Sequence, residues 1–348
     1  MKHTVSLLSA LLISSSALIA QNSAPPSPGG PMILDVQVSD KSGAPVTGLS
    51  QQDFTLVDGK QTLGLSYFHE VSAAAGKDQN PALEVVLVVD AINSKFSDIS
   101  YFRNEVKDYL LRDNGDLSYP TSLVVVTREG TKLQPQPGKD GKAINAMFEQ
   151  FSTGLRADNQ RDSAYGAEEL LDVGVKTLTQ LVQYEAQKPG RKLMIWISPG
   201  WPFVAGPDMR LSSKDEKMFF ENIVSVSNAL RAAHTTLYDV DPGGIASTSR
   251  ANLDYYKVFL KPATKPSDSE PGDLGLQVLA LQSGGRVLNA GTGLGDEIAQ
   301  CVNDARSYYV LTFDPTKGGK ANDFHKLAVN VNKPGLTVRT RVGYYSQP

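Results

Sequence analysis

The sequence predicts a doubly wound α/β unit on a mostly parallel sheet, with a flanking small β-sandwich built from N- and C-terminal segments. Three observations predict it. Glu84–Val89 (EVVLVV), Leu123–Val126 and Lys192–Ile197 (KLMIWI) are near-continuous apolar runs, the pattern of strands buried on both faces of a parallel sheet. Between them lie stretches with apolar residues at helical spacing. On both sides of this region the pattern changes to short β-like alternation closed by Gly turns, and lone hairpins of that size need a partner layer to be stable.

The elements follow in order. Residues 21–31 (QNSAPPSPGGP) are rich in Pro, Gly and Ser and read as a flexible lead-in. Met32–Val38, Phe54–Val57 and Leu63–Phe68 read as strands, with turns at Ser42-Gly43 and Asp58-Gly59. Residues 71–81 read as a linker. The run that ends at Asp90 opens the α/β unit. Ile99, Phe102, Val106, Tyr109 and Leu110 then recur at three and four, as on one face of a helix. Ala143–Phe151, Ala164–Glu185 and Asp215–Ala233 are the next helices, and Thr235–Val240 is a strand. Residues 262–272 (PATKPSDSEPG) read as an exposed loop. Leu274–Gln282 and Asp296–Ala305 are the last helices, before Tyr308–Phe313, Leu327–Val331 and Leu336–Arg341 return to β alternation. The expected organisation is an α/β unit over 82–315, inserted in a β-rich unit made of 32–70 plus 320–345. Right-handed crossovers place helices on both faces of the sheet. Ligand chemistry is then expected at the carboxyl ends of the strands.

Composition narrows the function classes. The 348 residues are 41% hydrophobic and 20% charged, which suits a chain with a sizeable core. The net charge is −3 with no cluster of Lys and Arg, so neither a nucleic-acid footprint nor a polybasic membrane patch is expected. Lys2 and His3 precede an apolar stretch from Val5 to Ala20, followed by Gln21-Asn22-Ser23. That is the pattern of a secretory signal peptide over 1–20. The other reading, a membrane anchor, is opposed by the serines that interrupt the stretch. A secreted or periplasmic chain follows, without membrane insertion after signal cleavage. Cys301 is the one Cys, so no internal disulfide forms and the fold must rest on its core. A buried thiol and a reactive or intermolecular one are both open readings.

Several segments, in order, resemble one family. LDVQVSDKSGAPVTGLSQQDFTLVDGKQTLGLSYF (34–68) and EVVLVVDAINS (84–94) carry the first part of the resemblance, LYDVDPGG (237–244) the middle. LALQSGGRVLNAGTGLGDEIAQCVNDARSYYVLTFDP (279–315) and FHKLAVNVNKPGLTVRTRVGYY (324–345) carry the end. Together they are similar to the acidobacterial VWFA-related domain family, von Willebrand factor A-like (VWA) proteins. The resemblance implies an exported VWA or Rossmann-like fold and a protein-interaction or adhesion module.

It also raises the question of a metal. VWA domains often hold Mg²⁺ through Asp-x-Ser-x-Ser, a Thr on a second loop and an Asp on a third. Mg²⁺ demands near-octahedral oxygen ligands. Here Asp90 and Ser94 fit, but Ile92 stands at the middle position and offers no oxygen. Ser163 stands for the Thr, with Asp162 beside it, and Pro199-Gly200 replaces the Asp-Gly pair after KLMIWIS. Asp90, Ser94 and Ser163 thus form a degenerate site; Asn93, Asp162 and Asp239 are the oxygens available to compensate. No cofactor is expected, with Mg²⁺ as the alternative. Asn93, Ser198, Trp201 and Phe203 are the expected partner-binding positions, Trp201 and Phe203 as aromatic anchors. Trp201 folded back on the domain is the opposing reading.

Motifs for enzymes are missing. His3, His69, His234 and His325 form no His-Glu-x-x-His pattern, and no Gly-x-Ser-x-Gly elbow occurs. The glycines from Gly291 to Gly295 read as a turn before a helix rather than a phosphate loop. The expectation is a non-enzymatic module for an unidentified protein partner. An extracellular hydrolase with an unrecognised site and a structural envelope protein are the alternatives. A His close to both a Ser and a carboxylate would favour the hydrolase.

Overall fold

The computed structural model describes residues 30–72, 82–94, 96–152, 164–201, 212–242, 260–269, 275–288, 293–316 and 320–347. The leader read over residues 1–20, Ser163 and Phe203 lie outside the described residues.

The central sheet is doubly wound. Its parallel strands are β5 (Leu83–Asp90), β6 (Asp116–Thr127), β9 (Arg191–Ile197), β10 (Thr235–Val240) and β11 (Val287–Leu288). β7 (Gly130–Leu133) and β8 (Gly138–Asp140) run antiparallel to β6. The strand order is β11-β10-β9-β5-β6-β7. From β5 the chain passes to β6 on one side and later returns to β9 on the other. The switch point of the sheet therefore falls beside β5.

The apolar runs explain why the sheet is buried on both faces. Along β5, Val86 and Val88 enter one core with Trp196, Leu178, Ile223 and Leu276. Val85, Leu87 and Val89 enter the other with Phe102, Phe148, Ile195 and Ile298. Strand side chains alternate between faces, so a run with no polar gap feeds both layers. α3 (Ala164–Glu185), α4 (Ser213–Ala232) and α5 (Leu276–Ser283) supply the first layer. α1 (Phe96–Leu110), α2 (Gly141–Ser152) and α6 (Leu294–Asn303) supply the second. Cys301 lies wholly buried in that second core, and burial pushes its thiol well up from the ordinary value.

The two ends of the chain form two antiparallel sheets. One has the order β14-β1-β12-β4 and the other β15-β13-β2-β3. Here β1 is Met32–Ser39, β2 Phe54–Asp58, β3 Gln61–Leu63 and β4 Tyr67–Ser72. At the other end β12 is Ser307–Phe313, β13 Phe324–Val331, β14 Thr337–Arg339 and β15 Gly343–Tyr345. Leu34, Val36, Leu56, Tyr309, Leu311 and Leu327 fill the core between the two sheets. One strand departs from the sequence reading. β12 falls within the span read as the α/β unit, yet it pairs Ile33 with Thr312 and Leu34 with Leu311. Its alternation accounts for this, because Tyr309, Leu311 and Phe313 point together into the sandwich core.

The sandwich docks at the amino ends of the parallel strands through buried charge. Arg191 opens β9 with a fully buried side chain, and its Nε lies 2.6 Å from Asp35 of β1. Its guanidinium sits 4.2 Å over the Tyr308 ring. His234 Nε2 lies 3.2 Å from the same carboxylate, and Thr340 Oγ1 donates to the Asp35 carbonyl at 2.8 Å. Asp304 makes a second tie. It pairs with Arg286 at 3.1 Å, pairs with Arg339 and accepts from the Tyr238 hydroxyl at 3.2 Å. Close approach matters here too: a Cβ on Gly190, at φ +86°, would stand 2.0 Å from the Ala82 carbonyl oxygen.

Burial alone would raise the Asp35 pKa, but Arg191, His234 and Arg341 outweigh it and hold the carboxyl well below its usual range. The folded-state value is depressed, so the contribution to stability is complete above the unfolded carboxylate value, about 3.9. It is lost as pH falls through the folded value. Asp35→Ala is expected to cost about 3–5 kcal/mol, because it leaves Arg191 buried and unpaired. Urea unfolding at pH 7 checks this, and adding Arg191→Met should restore part of the loss. Below about pH 4 the gap between the wild type and Asp35→Ala should narrow.

Candidate functional site

The carboxyl ends of β5 and β9 meet at the switch point, where ligands of open α/β sheets bind. Asp90 ends β5 and is 1% exposed. The chain then turns through Ala91, Ile92, Asn93 and Ser94, all buried. Asp90 itself shapes that turn. Its Oδ1 accepts from the backbone N–H of Ile92 at 3.2 Å and of Asn93 at 3.1 Å. Its Oδ2 accepts from Asn93 Nδ2 at 2.8 Å, Trp196 Nε1 at 3.2 Å and Ser198 Oγ at 3.1 Å. Ser94 Oγ closes the loop by donating to the Asp90 carbonyl at 2.6 Å. A carboxylate offers about four lone-pair directions, and these donors occupy them.

The loop after β9 is built on the same carboxylate. Ser198 Oγ donates to Asp90 and accepts from the Gly200 N–H at 3.2 Å. Gly200 has φ +89°, a left-handed conformation that glycine adopts without strain. The turn sends Trp201 back onto the domain, where it is 3% exposed. Its ring meets Trp196 edge to face, with centroids 5.8 Å apart at 84°. It also lies against Gly174 of α3, where an added Cβ would come within 2.9 Å of the indole.

The sequence-derived candidates separate into groups. Asp90, Asn93, Ser94 and Ser198 come together in one hydrogen-bonded unit. Trp201 joins them from the side, but as a buried packing residue and not as an exposed anchor; its contact with Trp196 and Gly174 is the physical reason. Asn93 and Ser198, 1% and 0% exposed, face inward and hold the loops rather than present themselves to solvent. Asp239 is buried on β10. Asp162, like Ser163 and Phe203, lies outside the described residues. Trp196 is the participant that sequence reading missed. Inside an apolar run its indole counts as core, and the only signal was that a buried indole N–H needs an acceptor.

The groups around Asp90 are N–H and O–H donors that point hydrogens at the carboxylate. Mg²⁺ needs the opposite, a shell of oxygens directed at a cation. Ile92 turns an apolar side chain into the first core, and Pro199 supplies no side-chain oxygen. The described part of the site therefore does not fit Mg²⁺. Among the described residues no three His, Cys, Asp or Glu side chains group closely enough to hold a metal ion.

His234 and His325, both partly exposed, pair with carboxylates elsewhere. His234 lies on Asp35. His325 Nδ1 lies 3.2 Å from Asp58, which accepts at 2.8 Å from both Tyr344 and Thr316. Neither imidazole is hydrogen-bonded to a Ser hydroxyl among the described residues.

No family model and no curated protein matches the chain. Solved structures give loose similarity. An aerotolerance-related membrane protein from Bacteroides fragilis is 10% identical with TM-score 0.36, over 64% of this chain and 98% of that one. A VWA-domain crystal structure is 10% identical with TM-score 0.32, over 63% and 95%. Manganese-loaded TRAP protein from Plasmodium vivax is 11% identical with TM-score 0.31, over 79% and 96%. Superposition at this level transfers no property of those proteins to this chain.

Asp90→Ala would leave the buried donors of Asn93, Trp196 and Ser198 without their acceptor. A loss of about 3–5 kcal/mol is expected, the scale of a broken buried charged network. The protein's two Trp, Trp196 and Trp201, both sit here. Denaturant unfolding followed by Trp emission should show a lower midpoint and an emission shift in the folded variant. An unchanged midpoint and spectrum would mean that the carboxylate does not organise this end of the sheet.

Proposed function

We propose that the chain is an exported, non-enzymatic interaction module of the VWA type, within the acidobacterial VWFA-related group. It binds a protein partner at the carboxyl ends of the central strands, without a metal ion. The observation that supports metal independence is the saturation of Asp90 by protein donors. A metal at this position would have to break several hydrogen bonds inside a buried network, and nothing in the described shell repays that cost.

Two further features support the location. The sandwich docks at the amino ends of the sheet, the pole opposite the carboxyl ends. The loops there leave the switch point in opposite directions, the arrangement that opens a crevice. Asn93, Ser198 and Trp201 then act as positioning residues, fixing the loop shapes that a partner reads. Export rests on the leader-like opening of the sequence. A non-enzymatic role is supported by the pairing of His234 with Asp35 and of His325 with Asp58, neither imidazole being hydrogen-bonded to a Ser hydroxyl among the described residues.

Calorimetric titration with Mg²⁺ and Mn²⁺ should give no saturable heat at millimolar metal. A saturable site abolished by Asp90→Ala would contradict the proposal. Location is tested separately with a photoreactive residue at Pro199, which is partly exposed beside Gly200, and a control at Tyr67, 52% exposed on the sandwich. Covalent capture of a partner from Pro199 and not from Tyr67, unchanged by a chelator, is the expected result. Capture from Tyr67 alone would move the interface to the sandwich.

A further inference from the structure

A polar cluster is buried where α3 ends against the amino halves of the central strands. The sequence places two acids and two lysines there: Glu84 on β5, Lys192 on β9, Glu185 at the end of α3 and Lys188 in the turn that follows. Strand alternation sends Glu84, Ser122 and Lys192 to the face of the sheet that carries Val86, Val124 and Met194. That is the face α3 covers. Lys188 Nζ bridges both acids, 2.9 Å from Glu84 Oε1 and 2.8 Å from Glu185 Oε1. Lys192 Nζ is spent on the backbone, donating to the carbonyls of Lys188 at 2.5 Å and Ala233 at 3.4 Å.

The two carboxyls are not equivalent. The Glu84 side chain is 11% exposed and accepts from the Ser122 hydroxyl as well as from Lys188. The Glu185 side chain is wholly buried. Its Oε1 accepts from Lys188, while its Oε2 is buried and meets no donor among the described residues. A carboxylate out of water needs donors, and a second carboxylate on the same ammonium makes ionisation of both harder. Glu185 also stands in the last turn of α3, where the helix dipole disfavours negative charge. The charged groups that face it are Lys188, Glu84 from β5 and Lys192 from β9. β6 contributes only the neutral Ser122 hydroxyl, and the end of α4 the Ala233 carbonyl. Tyr184 of α3 lies against Lys188, its ring centroid 4.6 Å from Nζ. Burial, with the Glu84 charge, outweighs the two lysines and pushes the Glu185 pKa up.

We propose that Glu185 is a proton-binding site that fills in mildly acidic surroundings, ahead of the exposed carboxyls, and then seats the end of α3 most firmly on the sheet. The proton comes from solvent and adds to Oε2, the oxygen without a donor, while Lys188 stays paired with Glu84. The folded value lies above the unfolded one, about 4.3. The stability it contributes is therefore complete below the unfolded value and is lost as pH rises through the folded value. The cluster lies at the pole opposite Asp90 and stands independently of the function proposed for that end.

The test is NMR titration of the Glu185 side-chain carboxyl carbon in the isotopically labelled full chain, beside urea unfolding of the wild type and Glu185→Gln from about pH 4 to pH 8. The Glu185 midpoint is expected above those of the chain's exposed glutamates. The urea midpoint of the wild type should fall relative to that of Glu185→Gln as pH rises through the Glu185 midpoint, because the variant cannot ionise there. Other pH effects act on both chains and cancel in the difference. A Glu185 midpoint level with or below the exposed glutamates overturns the proposal. So does a difference between the two chains that stays constant with pH. If Glu185→Gln does not fold, the NMR midpoint decides alone.

Discussion

A carboxylate buried in a protein must be met by donors or cations, and three described aspartates show how this fold meets that requirement. Asp90 closes the carboxyl end of the central sheet with backbone N–H groups, an amide, an indole and a hydroxyl. Asp35 closes the amino end with Arg191 and His234. Asp58 repeats the solution inside the sandwich with Tyr344, Thr316 and His325. The apolar cores supply the driving force for burial. The three aspartates fix which strands and loops meet once burial has occurred.

The two ends of the sheet consequently have different roles. At the amino ends, ion pairs between distant parts of the chain weld the sandwich to the α/β layers. The Arg191–Asp35 pair is buried, so it contributes through specificity of docking and through the high cost of breaking one partner, rather than through net gain over an apolar contact. At the carboxyl ends, a hydrogen-bonded unit of neutral donors around one charge sets the shape of two loops. Rigid loops on a rigid sheet are the usual way in which a scaffold presents a recognition surface. On the proposed reading, function at that end depends on shape and not on an ion.

Much of the fold can be read from the sequence, for a physical reason. Runs such as EVVLVV and KLMIWI leave few alternatives to a strand buried on both faces, and the helices between them have clear apolar spacing. Polar or short segments are less readable. β7 and β8 are missed because Gly130-Thr131-Lys132 and Gly138-Lys139-Asp140 carry no apolar alternation. β12 falls inside the span read as the α/β unit although it pairs with β1, because alternation identifies a strand without naming its partner. At the site, Asp90, Asn93, Ser94 and Ser198 stand out by position after a strand. The part played by Trp196 and the inward turn of Trp201 depend on contacts between strands and with α3, which no local pattern encodes. The pairing of Asp35 with Arg191 is hidden for the same reason.

The most direct measurement is paramagnetic broadening of backbone amide signals by Mn²⁺ in the isotopically labelled chain. The amides of Ile92 and Asn93 donate to Asp90 at 3.2 and 3.1 Å, so an ion on this carboxylate would erase both signals at low metal concentration. If Asp90 is the closed hydrogen-bonded hub described above, the two signals persist at millimolar Mn²⁺, with broadening confined to scattered surface carboxylates. Selective, saturating loss of these two signals would show that the carboxylate is free to take a metal, and the strand end would have to be read as an ion-dependent site.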